Sequence, residues 1–254
     1  MSGTGRPWIW PDAGEGRPGA AAGNDRARSP RRRTIAIGDI HGCSTALRLL
    51  IEEIQPRLDD LIVVLGDFID GGPDSRGVIE QLIALSSRCR LVALLGNHEE
   101  MLLNAVESRS EFRYWLKLGG QQTLDSYCTY RTDIEVIPAE HVRFIRGCLN
   151  YLATDTHIFV HANYDPDAPL NRMSTTRLRW GAIKPAEVRP HSSGKTVVVG
   201  HTPQVSGEIL DLGFVVGIDT NCFRGGWLTA LDVATGETVQ ANQQGEVRRS
   251  RMAR

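Results

Sequence analysis

Short apolar runs, each ending on a glycine, recur along the chain from residue 34 onward. Residues 34–37 stop at Gly38, 61–65 at Gly66 and 91–95 at Gly96. Such runs lack polar alternation, so they have no solvent face and predict strands buried on both sides of a sheet. Between them the apolar positions change to helical spacing. Leu47, Leu50, Ile51 and Ile54 follow Ser44, which is placed to cap a helix. Val78, Ile79, Leu82 and Ile83 follow Pro73-Asp74-Ser75, and a third helix is expected to start near Glu99. This β-α-β-α-β-α order predicts a parallel sheet with right-handed crossovers. Residues 100–150 read as mostly helical. Phe112, Trp115 and Leu116 suit a packed or lid helix, Gly119-Gly120 a break, and Val142, Ile145 and Leu149 another helix. The second half turns to short strands at 158–160, 197–199, 214–218 and 227–233. The polar, proline-containing stretch 163–194 predicts surface loops over a site. The expected fold is α/β, with one sheet from the βα units, one from the later strands, and helices outside.

Composition bounds this picture. The chain has 254 residues, 41% hydrophobic and 23% charged, and a formal net charge of −1. That is ordinary for a globular protein and provides no global field toward nucleic acid or membrane. Charge is uneven, however. Residues 1–33 hold seven arginines against three acids among many Gly, Ala and Pro. They are expected to form a disordered basic tail, because they carry too little apolar surface to offset the entropy of ordering. Residues 34–245 are then expected to form a single domain, and 246–254 a disordered basic C-terminus. Outside the tail no basic stripe or aromatic stacking pattern is present, which argues against nucleic acid as partner. Five scattered cysteines without a CxxC pair fit a reducing compartment. No run approaches the ~18 apolar residues of a membrane span. A cytoplasmic location follows as the expectation.

The candidate chemistry sits where the strands end. Gly38-Asp39-Ile40-His41-Gly42 follows the first, Gly66-Asp67-Phe68-Ile69-Asp70-Gly71-Gly72-Pro73 the second, and Gly96-Asn97-His98-Glu99-Glu100 the third. His161 ends the fourth and Gly200-His201-Thr202-Pro203 follows the fifth. In open α/β sheets the carboxyl edge is where ligands bind. An isolated Asp after a strand is usually a turn former. Three histidines and two aspartates buried together without a cation would instead leave unpaired charge costing several kcal/mol each. Carboxylate, imidazole and amide oxygen form a donor set suited to Mn²⁺, Fe or Zn²⁺.

Together GDxHG, GDxxDxG, GNHE, a lone downstream His and GH resemble the calcineurin-like metallophosphoesterases. The set is most similar to the phosphoprotein phosphatase family, in particular its small bacterial and phage members. The resemblance spans about residues 34–233. It implies a β-sandwich flanked by helices, in four α/β/β/α layers, and two divalent metal ions, Mn²⁺ foremost. It implies that Asp39 and His41 bind the first metal, that Asp67 bridges, and that Asn97, His161 and His201 complete the second. A hydroxide shared by the metals would attack a phosphate ester, His98 would protonate the leaving oxygen, and Asp70 would orient His98. Glu99 and Glu100 are expected only to favour the helix N-terminus. His141, His157 and His191 are expected to be structural or exposed.

One departure concerns phosphate binding. The family usually has Arg where Gly71 stands, and a second Arg just after a Trp, where Gly181 follows Trp180. Arg76, Arg177, Arg179 and Arg224 are candidates to refill the role, with Arg179 preferred. Expected substrates are phosphorylated proteins or small-molecule phosphate monoesters. The alternatives are a dinucleoside polyphosphate hydrolase or phosphodiesterase on the same fold, and a metal-binding regulatory module with weak catalysis.

Overall fold

A computed structural model describes residues 32–128, 130 and 133–252. Twelve strands and seven helices follow one another within these residues. The first half alternates β1 (Thr34–Ile37), α1 (Ser44–Ile54), β2 (Leu61–Val64), α2 (Ser75–Leu85), β3 (Arg90–Ala93) and α3 (Asn97–Glu107). Three helices come next: α4 (Arg109–Trp115), α5 (Gln121–Tyr127) and α6 (Ala139–Arg146). The rest is mainly strands: β4 (Tyr151–Ala153), β5 (His157–Val160), then α7 (Thr175–Trp180), β6 (Thr196–Val199), β7 (Leu210–Asp211), β8 (Val215–Gly217), β9 (Asp219–Thr220), β10 (Trp227–Asp232), β11 (Glu237–Ala241) and β12 (Val247–Arg251).

β1 and β2 are buried on both faces, while β3 at the sheet edge is only partly buried, and the strand alternation builds three layers of core. Ile35 and Ile37 of β1, with Ile62 and Val64 of β2, face the helices and pack on Leu47, Leu50, Val78 and Ile79. The intervening Ala36 and Val63 face the other way, onto Phe159, Val198 and Val216 of the second sheet. On that sheet's far side Ile158, Val160, Val197 and Val199 pack under Tyr164, Leu178 and Ile183. The architecture is therefore two sheets face to face, flanked by helices on one side and by the 163–194 connection with α7 on the other. α2 starts as the sequence suggests, with the Asp74 side chain accepting from the Gly77 N–H at 2.8 Å. α1 differs: Ser44 is its first residue, and Cys43 occupies the cap without a side-chain bond.

Two expectations need correction. The strand at 227–233 does not join the sheet of later strands. As β10 it pairs antiparallel with β1, and the first sheet runs β12-β11-β10-β1-β2-β3. A parallel β1-β2-β3 unit leaves β1 as an open edge, and β10 covers it. The second sheet runs β4-β5-β6-β8-β7. The C-terminal residues expected to be disordered form β12, paired along its length with β11. Their polar composition reflects an exposed edge strand rather than missing structure. The basic-tail expectation lies outside the described residues except at its end. There Arg33 bonds Asp60 through Nε at 3.1 and 3.2 Å and through Nη2 at 2.5 Å.

Candidate active site

The five motif-bearing strands divide between the sheets, β1, β2 and β3 in one and β5 and β6 in the other. Their carboxyl ends meet at one edge of the sandwich. The turn there is tight: His41, Asp67, Asp70 and His201 all have positive φ, at 46°, 46°, 69° and 61°. Such conformations are costly for residues with a Cβ and persist where the surroundings over-determine them, commonly at functional sites. Two glycines leave room for the carboxylates. A Cβ on Gly96 would lie 2.1 Å from Asp67 Oδ1, and one on Gly200 would lie 2.0 Å from Asp39 Oδ1.

Asp67 is central. Its Oδ1 accepts the His98 N–H at 3.0 Å. Its Oδ2 lies 3.7 Å from His41 Nε2 and 3.3 Å from His161 Nε2. Two groups of candidate ligand atoms share this residue: His41, Asp67 and His98 on one side, and Asp67, His161 and His201 on the other. Asn97 Oδ1 joins the second group, 3.1 Å from His161 Nε2. Asp39 stands outside both groups, with Oδ2 accepting the His201 N–H at 2.9 Å.

The donor set fits divalent cations. His41 Nδ1 faces the Ile69 carbonyl at 3.1 Å, and His161 Nδ1 faces the Leu65 carbonyl at 2.9 Å. Each ring's second nitrogen is thereby left as a lone pair aimed inward, the usual arrangement of a metal-ligating histidine. His161 Nε2 and His201 Nδ1 lie only 3.2 Å apart. The Trp180 carbonyl bonds the His201 ring as well, and burial pushes both His41 and His201 down to about 4. His161 differs: its Nε2 faces Asp67 Oδ2 and Asn97 Oδ1, and although burial opposes charging, Asp67 raises its pKa, so this nitrogen sits where positive charge is favoured. Asp39 Oδ1 is buried with no hydrogen-bond partner. Burial, Asp219 and Asp67 raise the Asp39 carboxyl well above its ordinary range. A cation in this space relieves the Asp39 penalty and takes the place of a proton on His161.

His98 and Asp70 form a second unit beside these candidate ligands. His98 Nδ1 lies 2.9 Å from Asp70 Oδ2. That oxygen also accepts from Trp115 Nε1 at 2.7 Å, and Oδ1 accepts from Thr123 Oγ1 at 2.6 Å. Asp70 is fully buried, so these donors fix it and thereby fix the imidazole. Burial opposes charging of His98, but Asp67 and the Asp70 bond outweigh it and hold its pKa up at about 9. With Nδ1 given to Asp70, Nε2 is the outward-facing nitrogen, and the neighbouring carboxylates favour its carrying a proton.

Sequence reasoning missed three supports. Trp115 and Thr123 lie 45 and 53 residues from Asp70, and no spacing rule marks them. Glu99 was expected to act only on the helix dipole. It is instead fully buried. Its Oε2 accepts from the Asp67 and Gly96 N–H groups at 2.8 and 3.0 Å, and its Oε1 accepts from those of Phe68 and Ile69 at 2.9 and 3.3 Å. Four main-chain donors thus hold the Asp67 loop on one carboxylate. Glu99→Gln offers only one acceptor oxygen and turns an amide donor toward two N–H groups. It should weaken Mn²⁺ affinity about 10–100-fold, the scale of supporting contacts at metal sites. A competition titration with a chelating dye measures this, and unchanged affinity would show that the loop holds its shape alone.

Of the remaining residues, the two histidines have structural partners, whereas Glu100 and Arg179 differ from expectation. His141 is buried and 2.7 Å from the Tyr127 hydroxyl, and His191 bonds Ser193. Glu100 accepts from Trp180 Nε1 at 2.5 Å and from Arg179 Nη1. Arg179, the preferred phosphate clamp, is thus engaged within the protein. Its Nη1 is on Glu100 and its Nη2 is on Asn150 at 2.5 Å.

Residues 32–225 match the calcineurin-like phosphoesterase family. The chain belongs to that family, whose members use divalent metal ions, and it is a hydrolase acting on phosphate esters. It is 32% identical over 208 residues to serine/threonine-protein phosphatase 1 of Salmonella typhimurium strain LT2, covering 78% of this chain and 90% of that protein. It is 27% identical over 275 aligned positions to the symmetrical bis(5'-nucleosyl)-tetraphosphatase of Janthinobacterium sp. strain Marseille, covering 82% and 95%. In fold it is similar to the cold-active protein-tyrosine phosphatase of a psychrophilic Shewanella, with TM-score 0.60, 15% identity, and 86% and 80% of the two chains covered. A Saccharomyces cerevisiae protein serine/threonine phosphatase gives 0.57 at 14% identity, covering 90% and 82%. No helix among the described residues is long and apolar enough to cross a membrane.

Proposed function

We propose that this protein is a phosphomonoesterase of the serine/threonine protein phosphatase kind, working with two divalent ions, Mn²⁺ foremost. The carrying observation is Asp67 shared by two histidine groups with the His98–Asp70 unit alongside. His41 and Asp67, with Asp39 behind them, would hold one ion. Asp67, Asn97, His161 and His201 would hold the other. When bound, two such ions generate a nucleophile at neutral pH and withdraw charge from phosphoryl oxygens.

The chain's own residues do the rest. The carbonyls of Ile69, Leu65 and Trp180 fix the imidazoles so that each presents one nitrogen inward. His98 presents Nε2–H toward the departing oxygen. As the P–O bond breaks, its electron pair goes to that oxygen, which takes the Nε2 proton. Asp70 keeps the tautomer and stabilises the imidazolium. His98 is also near enough to be read as a ligand. Its Asp70 bond and raised pKa favour the acid role, since a ligand imidazole must be neutral.

A second reading, a symmetrical dinucleoside tetraphosphate hydrolase, draws on the Janthinobacterium relative and on Gly71 in place of the customary arginine. Metal-stripped protein reloaded with Mn²⁺ separates the two. Mn²⁺-dependent release of phosphate from p-nitrophenyl phosphate and a phosphoserine peptide is expected, with slower attack on bis-p-nitrophenyl phosphate. Preferential cleavage of diadenosine tetraphosphate to two diphosphates would sink the phosphatase assignment in favour of the second reading. Binding of both ions with no turnover of any substrate would leave a metal-binding regulatory module.

A further inference from the structure

We propose that Arg224 is the phosphate-binding cation of this site, replacing the charge that position 71 cannot carry; this rests on the phosphoesterase reading above. Gly71 has φ of 78°, and a Cβ there would lie 3.0 and 3.1 Å from Cδ2 and Cε2 of Phe223. A side chain at 71 would start into that ring. The ring's own place is set by the turn that carries it. Asn221 is left-handed at φ 64°, and the Gly226 N–H bonds the Asn221 carbonyl at 2.9 Å. The Asn221 N–H in turn bonds Asp219 Oδ1 at 3.0 Å. The short helical turn Cys222–Arg224 is therefore pinned at both ends.

Phe223 connects this turn to the metal ligands. Its ring centroid is 4.5 Å from that of His41, which is itself 4.8 Å from His98. The Arg224 guanidinium carbon lies over the same Phe223 ring at 5.1 Å, within the range of a cation–π contact. Stacking of this kind orients the planar fork without using its N–H donors.

The remaining candidates are spent or elsewhere. Arg76 bonds Glu80 at 2.8 Å on the exposed face of α2. Both Nη atoms of Arg179 are held by Glu100 and Asn150, which leaves only its buried Nε without a partner. Arg177 lines a groove with Tyr164 and Lys184 on the outer side of the second sheet. Arg224 is exposed and, among the described residues, has no carboxylate or carbonyl partner for its guanidinium. Its guanidinium sits on the ring that itself packs against His41.

The test is calorimetric titration of inorganic phosphate into the full-length, Mn²⁺-loaded protein, with metal content checked for each variant. Arg224→Ala should weaken phosphate binding about 10–100-fold, the scale of charge-assisted hydrogen bonds. Arg224→Lys should fall between, since it keeps charge but loses the fork. Because the guanidinium has no hydrogen-bond partner among the described residues and only its exposed contact with Phe223, metal content should not change and the thermal midpoint should move little. Unaltered affinity in Arg224→Ala would overturn the assignment, all the more if Arg179→Ala is the variant that loses phosphate. Turnover of p-nitrophenyl phosphate by the wild type is read separately. A wild type that binds phosphate but hydrolyses nothing would sink the phosphoesterase reading while the affinities still decide Arg224. A wild type that binds no phosphate overturns both.

Discussion

Asp67→Asn should reduce turnover to background and leave the protein unable to hold its full complement of metal. The change is nearly isosteric, and the amide oxygen can still accept the His98 N–H now bonded by Oδ1. What is lost is the negative charge between the two histidine groups. A bridging carboxylate offsets the repulsion of two dications about 3.5–4 Å apart. Without it one ion is expected to leave, and kcat should fall by at least the ~10²–10³ that a single electrostatic element commands. Atomic emission on gel-filtered protein gives the metal count and a p-nitrophenyl phosphate assay gives the rate. A variant that stays fully loaded and active would remove Asp67 from the bridging position.

His98→Asn should separate chemistry from metal binding. If His98 is the acid, kcat falls about 10²–10⁴-fold while metal content stays that of the wild type. Loss of metal instead would make His98 a ligand of the group it shares with His41 and Asp67. The pH profile sharpens the distinction. A general acid works in its protonated form, so kcat declines as pH rises through its pKa. Asp67 and Asp70 hold that pKa up at about 9 in the protein alone, and bound cations offset the Asp67 contribution. Asp70→Asn removes the other supporting charge, so the alkaline limb of kcat should move to lower pH. An unmoved limb would mean that His98 is not the titrating acid.

Gly71 illustrates how one position can be read only halfway. Its identity shows that the customary arginine is absent. The fact that Phe223 fills the space beside it depends on a turn more than 150 residues later. Arg179 shows the reverse case. Adjacency to Trp180 made it the favoured clamp, yet Glu100 and Asn150, 79 and 29 residues distant, bind its fork.

The strands and helices of the first half were legible because their signals are local. Uniform apolar runs ending on glycine gave β1, β2 and β3, and apolar residues three and four apart gave the inward faces of α1 and α2. The candidate ligands were placed together for a similar reason. Each residue directly follows a strand, and the parallel strands of one unit end on the same side. β12 was not legible, because an exposed edge strand with Arg248, Arg249 and Arg251 has the composition of a solvated tail, and β11 was not, because polar Thr238 and Gln240 occupy its buried positions.

Sequence by itself marked which residues could bind metal, and the resemblance it carries implied that Asp70 of one motif partners His98 of the next. Tertiary structure decided that β1, β2 and β3 face β5 and β6 across the Phe159 layer, bringing two sets of strand ends to one edge. It also decided that Glu99 gathers four N–H groups, and that Trp115 and Thr123 close over Asp70. The division has a physical cause. Strand and helix signals, and the turn glycines beside the ligands, act over a few residues of chain. The hydrogen bonds that hold a buried carboxylate depend on which distant segment packs against it.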